Sequence, residues 1–367
     1  MKACIFLFLF VLTTPVRAKS DSTVHEPRTH GPLTIWILDG DTMMQHPYRT
    51  LEQALSDGEA IIHNENSQTL WIENRSDSDL FLQAGDLIKG GQQDRMIASD
   101  RILPAHDTAR DLQVYCIEQG RSTQRNAEPI ETFSASHWMA PLAHTRLVAR
   151  HELTEKLLTP HVGGLTSPDT NELKLFQSLG NLPQPLGTID AAQESIWNDV
   201  TKVQSGLTET LRDSVTRNAS PTSLELSLEN NSLADREHSF ENLFGDLATK
   251  DSHSIGFAYA IDGHIVGVEQ YVSHDLFAAM WPKLLRSVAA AALSNPNVSP
   301  PSNSSTPSTK DVESFQDAPG NRTSRQSIDT RTLIEASKTD GATRFVTWDQ
   351  KFLRAPLHAE WIATPSN

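Results

Sequence analysis

The sequence predicts an α+β fold: a strand-rich, sandwich-like N-terminal core with packed helices, and later a β-hairpin followed by a helix. Three observations point there. Short apolar segments alternate with turn residues between positions 60 and 118, a stretch at 190–215 repeats its apolar residues every three or four positions, and Asp262-Gly263 separates two apolar runs.

Residues 33–38 are apolar and β-favouring and read as a strand. Residues 50–57 read as a short helix: Thr50 is an N-cap type, Gln53 stands three residues on, Leu51, Ala54 and Leu55 form an apolar edge, and Gly58 follows the end. Strands are expected at 60–63, 69–73, 80–83, 95–98 and 112–118, with turns at 64–67, 74–79, 85–91 and 104–108. In the last strand Leu112, Val114 and Cys116 share one face and Tyr115 and Ile117 the other, so it should be buried on both sides. Residues 122–189 carry little pattern beyond a helix over about 141–158 and loop signals at Pro160, Gly163, Gly164, Pro168, Pro183 and Pro185.

From 190 to 215, Ile196, Val200, Val203, Leu207, Leu211 and Val215 lie on one helical stripe, with Asp190 and Gln193 as a capping pair and Gly206 as a weak point. A further helix is expected at 233–248. Asp262-Gly263 suits the positive backbone angles of a two-residue turn between strands 255–261 and 264–272. Ser273 then caps a helix to 293, in which Pro282 predicts a kink or a break after Trp281. Residues 294–326, rich in Ser, Pro, Asn and Thr, read as a disordered insertion. Strands at 332–336, 343–348 and 357–362 return the chain to the fold, so residues 31–293 and 327–367 are expected to form one domain around one core.

The first residues have the order of a secretory signal. Lys2 is followed by an apolar run at 5–12, and Val16 and Ala18 occupy the small-residue positions of a cleavage site before Lys19. The apolar run is shorter than the roughly 20 residues of a spanning helix, and no later segment reads as a membrane span. Residues 1–18 are therefore expected to leave, and the mature protein to be periplasmic or secreted. Of 2 cysteines, Cys4 leaves with the signal and Cys116 stays alone, which excludes an internal disulfide. Loss of Lys2 and Arg17 takes the formal net charge from -15 to about -17. Such a chain repels phosphate backbones and anionic lipid, which disfavours nucleic-acid binding.

The densest polar constellation is Asp86, Lys89, Gly90, Gly91, Gln92, Asp94 and Arg95, with a second piece in Glu118, Gln119, Gly120 and Arg121. Paired glycines allow backbone N–H groups to approach a ligand, and Lys89 or Arg95 can complete an anion cradle. Asp86, Asp94 and Glu118 are candidate acids, bases or hard-metal ligands. The competing reading is a Gly-rich turn whose charges cap strands and pair with one another. The glycines match neither the phosphate loop nor the dinucleotide fingerprint. Cys116, in a doubly buried strand, reads as a core thiol rather than a nucleophile. His137, His144 and His151 recur every seven residues, but that spacing is about 10 Å on a helix, too far for one metal to hold all three. No metal ligand set is assigned. Trp281 reads as core, and Lys283 and Arg286 as a solvated helix face.

The segments Gly-Gly-Gln-Gln-Asp-Arg at 90–95, Cys-Ile-Glu-Gln-Gly-Arg at 116–121, Ile-Asp-Gly-His-Ile-Val-Gly at 261–267 and Trp-Pro-Lys-Leu-Leu-Arg at 281–286 together resemble the ARG and Rhodanese-Phosphatase-superfamily-associated Protein domain family, an uncharacterised prokaryotic group. The likeness spans roughly residues 31–293, with the C-terminal strands belonging to it as well. It implies association with ADP-ribosylglycohydrolase-like and phosphatase-like partners, and supplies neither a reaction nor a cofactor.

Three functional readings follow. The first is a module that binds a small polar or phosphorylated ligand through Asp86, Lys89, Gly90, Gly91, Gln92, Asp94, Arg95, Glu118 and Arg121. The second is an envelope hydrolase using Asp86, Asp94 or Glu118, and the third a structural or partner-binding protein. The first two require that 90–95 and 118–121 meet in space.

Overall fold

The computed structural model describes residues 22–64, 69–121, 125, 132–158, 189–295 and 306–364. Its class is α+β, with strands gathered into sheets and helices packed between them. One nine-stranded antiparallel sheet takes both ends of the described chain. Its order is Thr23–Val24, Leu33–Asp39, Ser254–Ile261, His264–Tyr271, His358–Ala363, Ala342–Asp349, Thr332–Lys338, Arg322–Ser327, and Arg28–His30 also pairs with Leu33–Asp39. A six-stranded sheet runs Phe133–Met139, Asp86–Gly90, Arg95–Ile97, Thr108–Cys116, Thr69–Asn74, Ala60–Asn64. A three-stranded sheet holds Arg101–Leu103, Asp79–Leu82 and Tyr48–Thr50.

Several local signals work as their chemistry requires. Thr50 and Gln53 form a reciprocal capping box on Leu51–Ser56, and Gly58 follows with φ +70°. Asp262 (φ 50°) and Gly263 (φ 78°) turn the hairpin. The strand Thr108–Cys116 is buried on both faces only at its C-terminal end, where Leu112 and Val114 join one apolar cluster and Tyr115 and Ile117 the other, while Arg110, Asp111 and Gln113 are exposed. Helix Ile189–Leu211 buries Ile196, Val200, Val203 and Leu207, while Val215 lies buried beyond its end.

Other expectations are corrected by tertiary context. Residues 33–39 leave the N-terminal strands and pair with the hairpin strand Ser254–Ile261, because their continuous apolar run demands burial on both faces. The stretch 85–91 is mostly strand, not turn: Asp86–Gly90 pairs on one side with Phe133–Met139, which the sequence did not announce. The helix over 141–158 is two, Ala143–Ala149 and His151–Leu158, parted at Arg150. The helix expected at 233–248 is one helix with shifted ends, Asn231–Phe244, and a short helix Leu224–Leu228 that the sequence did not announce precedes it. Helix His274–Leu293 runs through Pro282 unbroken, since buried Trp281, Leu284, Leu285 and Val288 clamp it on both sides of the proline. Lys283 is buried on it rather than solvated.

Within 294–326, Thr309–Asp317 is a helix closed by a Ser308–Asp311 capping box and anchored by fully buried Val312, and Arg322–Ser327 is an edge strand. Single anchors and backbone pairing leave almost no trace in composition, which is why this part read as disordered. Residues 296–305, the loop signals at 160–185 and the leader lie outside the described residues.

Helix His274–Leu293 is the one described helix long and apolar enough to cross a bilayer, and most of it is buried in the core. Phe277 and Trp281 stack among Phe257 and Tyr271 of the nine-stranded sheet. The same apolar cluster takes Phe81, Leu87, Met96, Tyr115, Ile196 and Phe240, so sheets and helices share it. Near its end the helix meets Ile189–Leu211 closely: a Cβ on Gly206 would stand 1.7 Å from the Ser294 carbonyl oxygen. Gly206→Ala should therefore destabilise the fold by roughly 1–3 kcal/mol through overpacking, although alanine is the better helix former. Urea unfolding of the variant checks this, and a neutral or stabilising result contradicts the close approach.

Candidate functional site

The two polar stretches do meet. Strands Asp86–Gly90 and Arg95–Ile97 form a hairpin whose tip carries Gly90 (φ +126°) and Gly91 (φ +62°). A Cβ on Gly90 would lie 2.1 Å from the Thr132 carbonyl oxygen, so only glycine fits beside that strand. Asp94 pins the tip by accepting from the Gly90 N–H at 3.0 Å. Its own N–H donates to Glu118 Oε2 at 3.1 Å, and the Ile117 N–H donates to the Asp94 carbonyl at 3.1 Å, which brings 118–121 against the tip.

Arg121 Nη2 stands 2.7 Å from Glu118 Oε2, and its Nη1 donates to the Gly91 carbonyl at 3.0 Å. Arg125 Nη1 donates to Asp94 Oδ2 at 2.8 Å. Ser223, the N-cap of Leu224–Leu228, donates to the same oxygen at 2.9 Å. Asp94 and Glu118 have no exposed surface. Arg125 and Ser223 were missed by sequence reasoning. Arg125 stands in a stretch without periodicity, and Ser223 lies about a hundred residues from the strands it joins.

The other candidates spread out around this corner. Asp86 is buried beneath it and accepts from Lys283 Nζ at 2.9 Å and from the Gln83 N–H at 2.9 Å. Lys89 pairs with Glu229, and Gln92 is exposed on the tip. Arg95 is 3% exposed, and among the described residues its side chain hydrogen-bonds only Gln93, at 3.2 Å. Burial presses its pKa down, while Cys116 and Asp94 pull it back up. Cys116 faces Arg95 across the strand pair as a buried thiol whose pKa burial pushes up, so it has the character of a core group. Its backbone is held from both sides by the Gln193 amide, at 2.9 and 2.7 Å, rather than Gln193 serving as a cap partner.

Next to Asp94, Glu225 is fully buried, and desolvation together with the Asp94 charge raises its pKa to about 8. It is protonated and uncharged at neutral pH. Burial likewise raises Glu237 to about 7, although it accepts from the Trp138 indole N–H at 2.8 Å.

A second constellation lies in the seam between the sheets. Arg146 Nε donates to Glu360 at 2.7 Å, its Nη2 to Glu269 at 3.2 Å and its Nη1 to the Ala140 carbonyl at 3.1 Å. Arg150 also binds Glu360. His358 bonds Asp100 at 2.7 Å, and its other ring nitrogen lies 3.8 Å from Glu269, a charge contact without a hydrogen bond. Burial alone would lower His358, but Asp100 and Glu269 outweigh it and raise the pKa to about 9. Against burial, His358 holds Asp100 at about 2, and His358 with Arg146 holds Glu269 at about 2.

His137 bonds Glu52, His144 bonds Asp199 and His151 meets Tyr115, so the three histidines serve separate places. Among the described residues no three His, Cys, Asp or Glu side chains are arranged to hold a metal ion.

The seam sets a pH window. The stability His358 contributes is full below about pH 6.5 and is lost as pH rises through about 9, while that of Asp100 and Glu269 is present above about pH 4 and lost as pH falls through about 2. His358→Gln leaves Asp100 buried without its cation and should cost about 3–5 kcal/mol at neutral pH. It should also flatten the alkaline limb of the stability profile. Denaturant unfolding between pH 5 and 10 measures both effects, and an unchanged profile contradicts a charged His358.

No curated protein and no solved structure matches the chain. Residues 21–356 of the 367, reaching well into the C-terminal strands, match a family model. On that coverage the chain belongs to the ARG and Rhodanese-Phosphatase-superfamily-associated Protein domain family.

Proposed function

We propose that the chain is an exported domain that binds a small polar or phosphorylated ligand where residues 90–95 meet 118–121, with Arg95 as the partner of the ligand's anionic group. The observation that supports this is a charge left over. Among the described residues, Asp94 and Glu118 are both engaged by Arg121 and Arg125, whereas Arg95 has no ion pair and its buried Nε has no hydrogen-bond partner. Glu225, protonated at neutral pH, does not cancel the surplus.

A buried cation without a counter-ion costs stability. Its planar fork suits a phosphate or carboxylate. An anion that docked there would restore the missing contacts. Gln92, Gln119 and Gly120 form the exposed rim beside it. The chain's net charge of -15 selects against polyanions and leaves small anions as the fitting class. Export rests on the leader pattern of Lys2, the apolar run and Ala18. The carboxylates Asp86, Asp94 and Glu118 are each committed to cations, which favours binding over acid–base catalysis. Their mutual satisfaction also suits a purely structural role, and Arg95 is the residue that sets the two readings apart.

Arg95→Met tests this with opposite signs in one variant. Removal of the unpaired cation should stabilise the ligand-free protein by about 1–3 kcal/mol. It should also abolish the rise in Tm that inorganic phosphate or ribose 5-phosphate produces in the parent. Thermal shift and calorimetric titration read both effects. A parent indifferent to every phosphate, or a variant that still responds, sinks the proposal.

A further inference from the structure

A cleft opens where three elements converge. Ser99, Gln113 and Tyr115 come from the six-stranded sheet and its following turn, His151 and Glu152 from the joint between the two helices, and Ile328 from beside the edge strand of the nine-stranded sheet. The joint exists because the helix is interrupted at Arg150 (φ -100°, ψ 26°), which turns its side chain inward. The cleft is narrow, with room for a headgroup rather than a whole cofactor.

Its electrostatics have a sign. Arg150 forms part of the floor, but its guanidinium binds Glu360 and the Arg146 carbonyl and lies 3.7 Å over the Phe345 ring. In the seam behind it, Arg146, Arg150 and charged His358 balance Glu269, Glu360 and Asp100. His151 is kept neutral because burial lowers its pKa. Glu152 is exposed at the mouth and has no ion pair among the described residues, yet its charge acts on both Tyr115 and His151. Among the described residues the walls therefore carry one negative charge without an ion-pair partner.

The walls also carry acceptors. Tyr115 Oη and His151 Nδ1 are 3.2 Å apart, and whichever one donates, the phenol oxygen keeps an acceptor lone pair. Ser99 and Gln113 supply a hydroxyl and an amide oxygen. One carboxylate and several neutral oxygens match a group with positive charge and three N–H donors.

We propose that this cleft binds the primary ammonium group of a small organic cation, paired with the Glu152 carboxylate and hydrogen-bonded by oxygens of Ser99, Gln113 and Tyr115. The site is independent of Arg95 and takes the opposite charge.

Methylammonium chloride is the probe, tetramethylammonium chloride the control with charge but no N–H donors, and sodium chloride the control for ionic strength. With the full chain, methylammonium should raise Tm saturably beyond sodium chloride at equal ionic strength, and tetramethylammonium should not. Glu152→Gln alters an exposed side chain, should unfold like the parent without ligand, and should lose the methylammonium response. The proposal is overturned if methylammonium acts no differently from sodium chloride, if both ammonium ions act alike, or if Glu152→Gln responds as the parent does.

Discussion

Arg146 joins the two sheet systems through a guanidinium that is almost wholly removed from water. It reaches Glu269 on the hairpin, Glu360 on the last strand and the Ala140 carbonyl after the edge strand of the other sheet. Its stem passes Gly85, where a Cβ would stand 2.6 Å from Arg146 Cδ. A buried ion pair contributes little net stability, because desolvation offsets the attraction. It penalises any packing that separates the partners, and so specifies how the sheets meet.

That constraint bears on the cleft beside Arg150, whereas the polar corner is built within a single sheet. At the polar corner the pairing of Arg95–Ile97 with Thr108–Cys116 inside one sheet brings the hairpin tip at 90–94 against 118–121, and Ser223 and Arg125 close over the two carboxylates. At the cleft, the seam holds Arg150 inward and opens the helix at the point where His151 and Glu152 face Tyr115. Among the described residues the seam charges pair with one another, whereas Arg95 and Glu152 each lack an ion pair. A buried charge without an ion pair, as at Arg95, costs stability and marks where a ligand has something to supply, while exposed Glu152 offers its charge without that cost.

Much of the local structure was legible in the chain. Thr50 with Gln53, Asp262-Gly263, Ser273 and the stripe from Ile196 to Leu207 act through neighbours within a few residues. The polar corner was legible as well, since the residues at 86–95 and 118–121 were named from composition and glycine pairing. Their burial was not. Asp86 needed Lys283, almost two hundred residues away, to become an interior group. Nor did the strand Phe133–Met139 announce itself, because its partner supplies the pairing that its own residues do not signal.

What the sequence determined by itself was short-range: turns, caps, helical stripes, a leader pattern, a family and a surplus of negative charge. The tertiary structure alone decided which charges have counter-ions. Whether Arg95 and Glu152 meet a partner depends on charges drawn from distant strands, and at buried Arg95 it counts most, because the folded backbone has excluded the water that would otherwise screen it.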